Sequence, residues 1–326
     1  MESNDRFSAS PDLEAAIDRE PLIVTPETSL VQAIALMGQA RGVSCEVEAK
    51  NPESEFSLSK KNCSSCVLII QKKQLLGILT ERDIVKLTAQ ELTFEDLTVA
   101  EVMTQPVVTL LDSNFKDIFA AIFLFRRYRI RHLPLVDRAN FLIGVISPAT
   151  IRLAMRPVNL LKLRRVADVM SKNIVHVPLS STVLNIARLM TEHQVSCIVI
   201  TQADEAENIL IPVGIITERD IVQFKFLQAR LDNLEASEVM STPLFLLSPE
   251  DSLLMANQEM QRRRVRRLVV SWNWGQSLGI VTQTSILRIF DPMEMYGVIE
   301  TLQSMVQQLE QEKAELLALV KQTKPE

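Results

Sequence analysis

The sequence predicts an α/β (α+β) protein: four βαββα units packed as two pairs, followed by a C-terminal coiled-coil helix. Three observations carry this. A short string recurs as Ala100-Glu-Val-Met103, Ala167-Asp-Val-Met170 and Ser237-Glu-Val-Met240, and self-similarity at a near-constant period marks a repeat architecture. The copies alternate in type, A then B then A then B. A heptad pattern begins after Asp291-Pro292.

The string returns after 67 and then 70 residues (Met103, Met170, Met240). A β-like run follows each time: Pro106-Val-Val-Thr-Leu110, Ile174-Val-His-Val177 and Pro243-Leu-Phe-Leu-Leu247, with Pro21-Leu-Ile-Val24 as the first-copy equivalent. Apolar residues at helical spacing come next, as in Leu30, Ala33, Ile34, Met37 and in Val183, Ile186, Ala187, Met190. Two apolar strands and a short helix complete each copy. The units span 17–90, 97–155, 163–228 and 235–290, after an N-terminal tail at 1–16. The first carries a polar loop insertion at 45–63, and the third a smaller excursion at Ala203-Asp-Glu-Ala-Glu-Asn208.

The A copies share Ile78-Leu-Thr-Glu-Arg-Asp-Ile-Val85, repeated as Ile215-Ile-Thr-Glu-Arg-Asp-Ile-Val222, and Ser65-Cys66 matches Ser196-Cys197. The B copies share an arginine-rich approach, Arg127-Tyr-Arg-Ile-Arg-His132 and Arg262-Arg-Arg-Val-Arg-Arg267. A pair of units, about 135 residues, is therefore the natural domain, a size suited to a single core.

Composition narrows the function. The 326 residues are 47% hydrophobic and 23% charged, as in soluble globular proteins. The formal net charge of −5 offers no global attraction to nucleic acid or anionic membrane. The N-terminus lacks the basic and apolar regions of a secretory signal. The longest apolar run, Ile118 to Phe125, is far below the ~20 residues that span a bilayer. A cytoplasmic protein without nucleic-acid or membrane partners is expected. Cys45, Cys63, Cys66 and Cys197 give neither a disulfide framework nor four zinc ligands, so buried strand positions are expected for Cys66 and Cys197. His132, His176 and His193 are isolated from any nucleophile motif; no catalytic residue and no metal site are expected.

The ordered elements, including Arg131-His-Leu-Pro-Leu-Val-Asp137 and the Gly-hydrophobic-hydrophobic-Thr-x-x-Asp segments, resemble the CBS domain over residues 17 to 290. The resemblance implies two Bateman modules, each a pair of CBS units packed through their sheets. It also implies binding of adenosine-containing ligands (AMP, ADP, ATP or an adenosyl compound) in the clefts, without a catalytic cofactor.

Thr80-x-x-Asp83 and Thr217-x-x-Asp220 stand between a strand and a helix, which permits two readings. Each forms a capping box, with Thr as N-cap and an acid at N3. Alternatively, the helix N-terminus faces a phosphate, the carboxylate takes a ribose diol, and Arg82 and Arg219 pair with phosphate oxygens. All four copies keep the hydroxyl (Thr80, Ser147, Thr217, Thr282), whereas the acid position reads Asp83, Thr150, Asp220 and Ser285. Ligand sites are therefore expected at the two A copies. The resemblance implies further cleft positions: Ser65, Val99, Met103 and Thr104 in the first module, and Val195, Ser196, Ser237, Met240 and Ser241 in the second. It also implies that arginines of the B copies, Arg131 and Arg266, reach a phosphate.

In 295–321, Met295, Ile299, Leu302, Val306, Leu309, Leu316 and Val320 alternate between d and a positions, with Lys313 a polar interruption. This predicts a dimeric coiled coil; an amphipathic helix folded on the body is the alternative. Arrays of this kind resemble the sensory part of bacterial signal-transduction proteins, with a kinase or cyclase as effector. A homodimeric nucleotide sensor is the functional expectation, and a ligand-free scaffold binding a protein partner is the alternative.

Overall fold

The computed structural model describes residues 14–42, 65–114, 118–155, 161–162, 164–204 and 209–290. The insertion at 45–63, with Cys45 and Cys63, and the heptad segment at 295–321 lie outside the described residues.

Each unit is a three-stranded sheet with helices. The first comprises β1 (Leu22–Val24), α1 (Leu30–Gly42), β2 (Cys66–Gln71), β3 (Gln74–Thr80) and α2 (Glu81–Ala89). The second comprises α3 (Val99–Val102), β4 (Leu110–Leu111), α4 (Ile118–Tyr128), β5 (Leu133–Val136), β6 (Leu142–Ile146) and α5 (Pro148–Met155). The third comprises β7 (His176–Pro178), α6 (Val183–Glu192), β8 (Cys197–Asp204), β9 (Ile209–Thr217) and α7 (Glu218–Phe226). The fourth comprises α8 (Ala236–Val239), β10 (Leu246–Leu247), α9 (Leu253–Arg262), β11 (Arg267–Trp272), β12 (Ser277–Thr282) and α10 (Gln283–Ile286). In every sheet the first strand runs parallel to the second, and the second antiparallel to the third. The four βαββα repeats are thus present.

Two differences from the sequence reading have local causes. The leading strands of the B units shrink to two residues, and the chain just before Pro106 and Pro243 is engaged elsewhere, Thr104 with Ile78 and Ser241 with Ile215. Ala203 and Asp204, placed in a polar excursion by the sequence, extend β8 instead, since pairing runs out to Asp204↔Ile209.

Both faces of the sheets are covered, so their central strands read as continuous apolar runs. In β2, Val67 and Ile69 face α1 and α2, while Cys66 and Leu68 pack with Val136 and Val145 of the second unit. In β8, Ile198 and Ile200 face helices, and Cys197 and Val199 pack with Val269 of the fourth. Sheets therefore join units within each pair. Helices join the pairs: α2 packs on α6, α1 on α7, and α2 on α7. Units two and four share one apolar core, containing Ile122, Phe125, Leu253, Met260 and Ile289.

Units of a pair also exchange their leading segments. Thr104 bridges Ile78 of β3, and Ser241 bridges Ile215 of β9. Asp18 bridges Val145 of β6, and Ser171 bridges Ile280 of β12. A glycine beside each contact allows the approach. A Cβ on Gly77 or Gly214 would lie 2.3 or 2.2 Å from the sulfur of Met103 or Met240; one on Gly144 would lie 2.6 Å from the Asp18 carbonyl oxygen. The recurrent methionine of the repeat string is the side chain that lies over this glycine in the A-unit sheets.

Candidate functional site

The four strand-to-helix turns are built alike. In the A units the Asp83 carboxylate accepts from Thr80 N (2.9 Å) and Thr80 Oγ1 (2.7 Å), and Asp220 accepts from Thr217 N (2.9 Å) and Oγ1 (2.8 Å). The B units close the same turn with a hydroxyl: Ser147 N donates to Thr150 Oγ1 at 2.9 Å, and Thr282 N to Ser285 Oγ at 2.8 Å. Asp83 and Asp220 are therefore both capping groups. Asp83 keeps a second oxygen near the leading segment, where Thr104 Oγ1 lies 3.4 Å away.

The two residues between Thr and Asp cross between the pairs. Arg82 Nε donates to Glu218 at 3.3 Å, and Arg219 Nε donates to Glu81 at 3.3 Å. The same dipeptide, used twice about a pseudo-two-fold axis, is self-complementary. Glu218 is enclosed, its side chain 1% exposed, and it also takes Arg131 from the second unit. Arg82 and Arg219 thus pair with carboxylates across the module joint.

Around this joint lies a cavity of about 1710 Å³ reached by all four units. Among the described residues its lining includes eleven arginines against Glu14, Asp18 and Glu20. Apolar patches come from Ile130, Ile174, Val175, Val195 and Val265. Helix ends aim the arginines. The chain leaves α4 and α9 through left-handed residues, Arg129 (φ 52) and Arg264 (φ 55), with Ile130 N donating to Phe125 O (3.1 Å) and Val265 N to Met260 O (2.9 Å). This helix-ending turn carries the next residues into the central strand beside the cavity.

Of the predicted residues, Ser65, Arg82, Arg131, Val195, Ser196, Arg219 and Arg266 line this one cavity. Thr80, Asp83, Met103 and Thr104 gather at the contact of β3 with the leading segment, as Thr217, Asp220, Met240 and Ser241 do at β9. Val99 has no exposed surface and belongs to the core of the first unit. Ser237 is exposed on α8, its hydroxyl 3.3 Å from Glu235.

Sequence reasoning did not assign Glu81, Glu218, His132, Arg152 or Arg267 to the site. Ser65 Oγ stands 2.8 Å from His132 Nε2 and accepts from Arg266 at 3.0 Å. Ser196 Oγ accepts from Arg267 at 3.0 Å in the equivalent place. Burial, reinforced by the guanidinium groups of Arg131 and Arg266, pushes His132 down to about 3 and holds it neutral. Arg152 lines the cavity and donates to Asn257 of α9 at 3.2 Å. The Nε atoms of Arg152 and Arg267 are buried donors without a hydrogen-bond partner; an orphaned donor of this kind is costly and calls for an acceptor. Cys66 and Cys197 are buried on their strands, and desolvation pushes the Cys66 thiol up to about 12. No helix among the described residues is long and apolar enough to cross a membrane.

Four equivalent units, paired through sheets and joined around a cationic centre, define a tandem array of two Bateman modules. The chain belongs to the CBS domain family, whose model matches residues 13–89, 99–156, 166–226 and 236–291. It is similar to an uncharacterized protein of Methanopyrus kandleri, 30% identical over 126 residues, 38% of this chain and 61% of that protein. A 33.4 kDa protein of Thermofilum pendens is 29% identical over 184 residues, 49% of this chain and 56% of that protein. The chain thus spans less than two thirds of either relative. Among solved structures, protein MJ1225 of Methanocaldococcus jannaschii, a putative archaeal homolog of γ-AMPK, superposes with a TM-score of 0.68. It is 19% identical and covers 86% of this chain and 99% of its own, a likeness of fold.

Proposed function

We propose that this protein is a non-catalytic regulatory sensor whose paired CBS units bind an adenosine-containing nucleotide, its phosphates directed toward the central arginines. The observation that carries this reading is the cavity: eleven arginines against three carboxylates, within a chain of net charge −5. Such a concentration of one sign focuses the field on an anion. Neighbouring apolar side chains suit a base, and Asp83 and Asp220 remain the groups for a ribose diol. The heptad segment transmits the bound state as a dimeric helix to a signalling effector, a kinase or cyclase.

One observation favours a ligand-free scaffold instead. Asp83 and Asp220 are engaged in caps, and Arg82 and Arg219 in the module joint. Calorimetric titration with adenosine, AMP, ADP, ATP and S-adenosylmethionine separates the two. Saturable binding below millimolar that Asp220→Ala weakens about tenfold or more supports the sensor. Absence of binding by every adenine compound leaves the scaffold.

A further inference from the structure

Glu218 occupies an unusual position for an acid. Its carboxylate is buried beside a cavity rich in arginine, and it holds two guanidinium groups that line that cavity: Arg82 from the first unit at 3.3 Å, and Arg131 from the second. Their side chains remain 36% and 24% exposed. The arginines thus face a carboxylate on one side and open space on the other. A guanidinium offers five donors in a fixed fork, and a phosphate seeks the geometry that a carboxylate satisfies. Glu218 has the chemistry of a resident anion.

We infer that Glu218 is a specificity-determining residue: it competes with the phosphate groups of a cavity ligand for Arg131 and Arg82. The inference rests on the anion-binding reading of the cavity and adds its regulation. A ligand with several phosphates draws Arg131 away from Glu218, and so draws on a guanidinium that links the second unit to the third. An uncharged adenosyl compound leaves the cluster intact. Glu218 lowers affinity for polyanions selectively and ties their binding to the joint between modules.

The test uses the full chain with two probes, inorganic tripolyphosphate and adenosine, on the wild type, Glu218→Gln, Arg131→Gln and the double variant. Glutamine keeps the volume and removes the charge, and thermal melts monitored by circular dichroism verify folding. A unit charge about 6 Å away at an effective dielectric of about 40, between the protein-surface and bulk-water values, corresponds to about tenfold in affinity. Glu218→Gln is expected to bind tripolyphosphate about tenfold more tightly, with adenosine affinity unchanged and the gain mostly lost when Arg131 is also replaced. Equal or weaker tripolyphosphate binding by Glu218→Gln overturns the inference, as does its failure to bind either protein. A gain that persists in full without Arg131 also overturns it. If tripolyphosphate behaves as expected while no adenine compound binds, competition by Glu218 stands and the nucleoside part of the proposed function falls. If adenosine binds but Glu218→Gln leaves tripolyphosphate unchanged, the proposed function stands and this inference falls.

Discussion

At the turn from third strand to last helix, the A units carry Thr-Glu-Arg-Asp, whereas the B units carry Ser-Pro-Ala-Thr and Thr-Gln-Thr-Ser. All four turns are capped, by a carboxylate in the A units and by a hydroxyl in the B units. Capping alone therefore does not require an acid. The middle residues are what set the A units apart: Glu and Arg cross to the other module, while their B-unit counterparts do not take that role. One four-residue string thus performs two separable tasks, helix initiation and module joining. Repetition of the whole string follows from the second, because a self-complementary contact about a two-fold axis needs both members in both copies.

Substitution can break this comparison, most strongly at the glycines. Gly144→Ala places a methyl 2.6 Å from a backbone oxygen of Asp18, which cannot yield without shifting the leading segment. Gly77→Ala meets the flexible end of Met103 at 2.3 Å. Overpacking of this kind costs typically about 1–3 kcal/mol, and the B-unit variant is expected at or above the top of that range, the A-unit variant near the bottom. Urea denaturation of both proteins measures the difference; equal losses break the distinction.

The caps give a smaller effect. Asp83→Ala and Thr150→Ala should each lower stability by about 1 kcal/mol. Only the former should also weaken adenosine binding. A stability loss of several kcal/mol at Asp83, with adenosine affinity intact, would confine that acid to structure.

An effect that appears only on acidification concerns the position before the leucine of the central B strand, His132 in the second unit and Arg267 in the fourth. His132 titrates near 3 in the folded protein, below its unfolded value of about 6.5, so the unfolded chain binds the proton first. The resulting stability is fully present above pH 6.5 and declines as pH falls toward 3, at no more than about 1.4 kcal/mol per pH unit. Comparing pH 6.5 with pH 5.5, the wild type should lose up to that amount more than His132→Asn. Parallel stability curves for the two proteins would show that the imidazole is not held neutral.

Much of this organisation is legible in the sequence because it is periodic. The repeat string, the Leu30 and Val183 helices and the apolar runs at Cys66 and Cys197 each announce their element locally. The joint is not legible in that way. Arg82 and Glu218 are separated by 136 residues, and Arg219 and Glu81 by 138, and each reads locally as an ordinary residue in a helix's first turn. The one available signal was the pairing of opposite charges inside a string kept intact in both A units. His132 offered none, since its neutral state depends first on burial in the folded protein and then on Arg131 and Arg266 beside it. Asp83 and Asp220 were legible as caps and as ribose-binding candidates alike, because both uses place a carboxylate at the same helix start.

The exchange of leading segments has a mechanical consequence. Ile17 and Asp18 open the first unit in the chain but lie on β6 of the second, with Asp18 N and Val145 O 2.9 Å apart. A pull applied at the N-terminus therefore loads the second unit before the first. A cut made between units one and two would strip an edge from each fragment. In such an array the smallest piece that can be lent to another protein as working cargo is a whole pair.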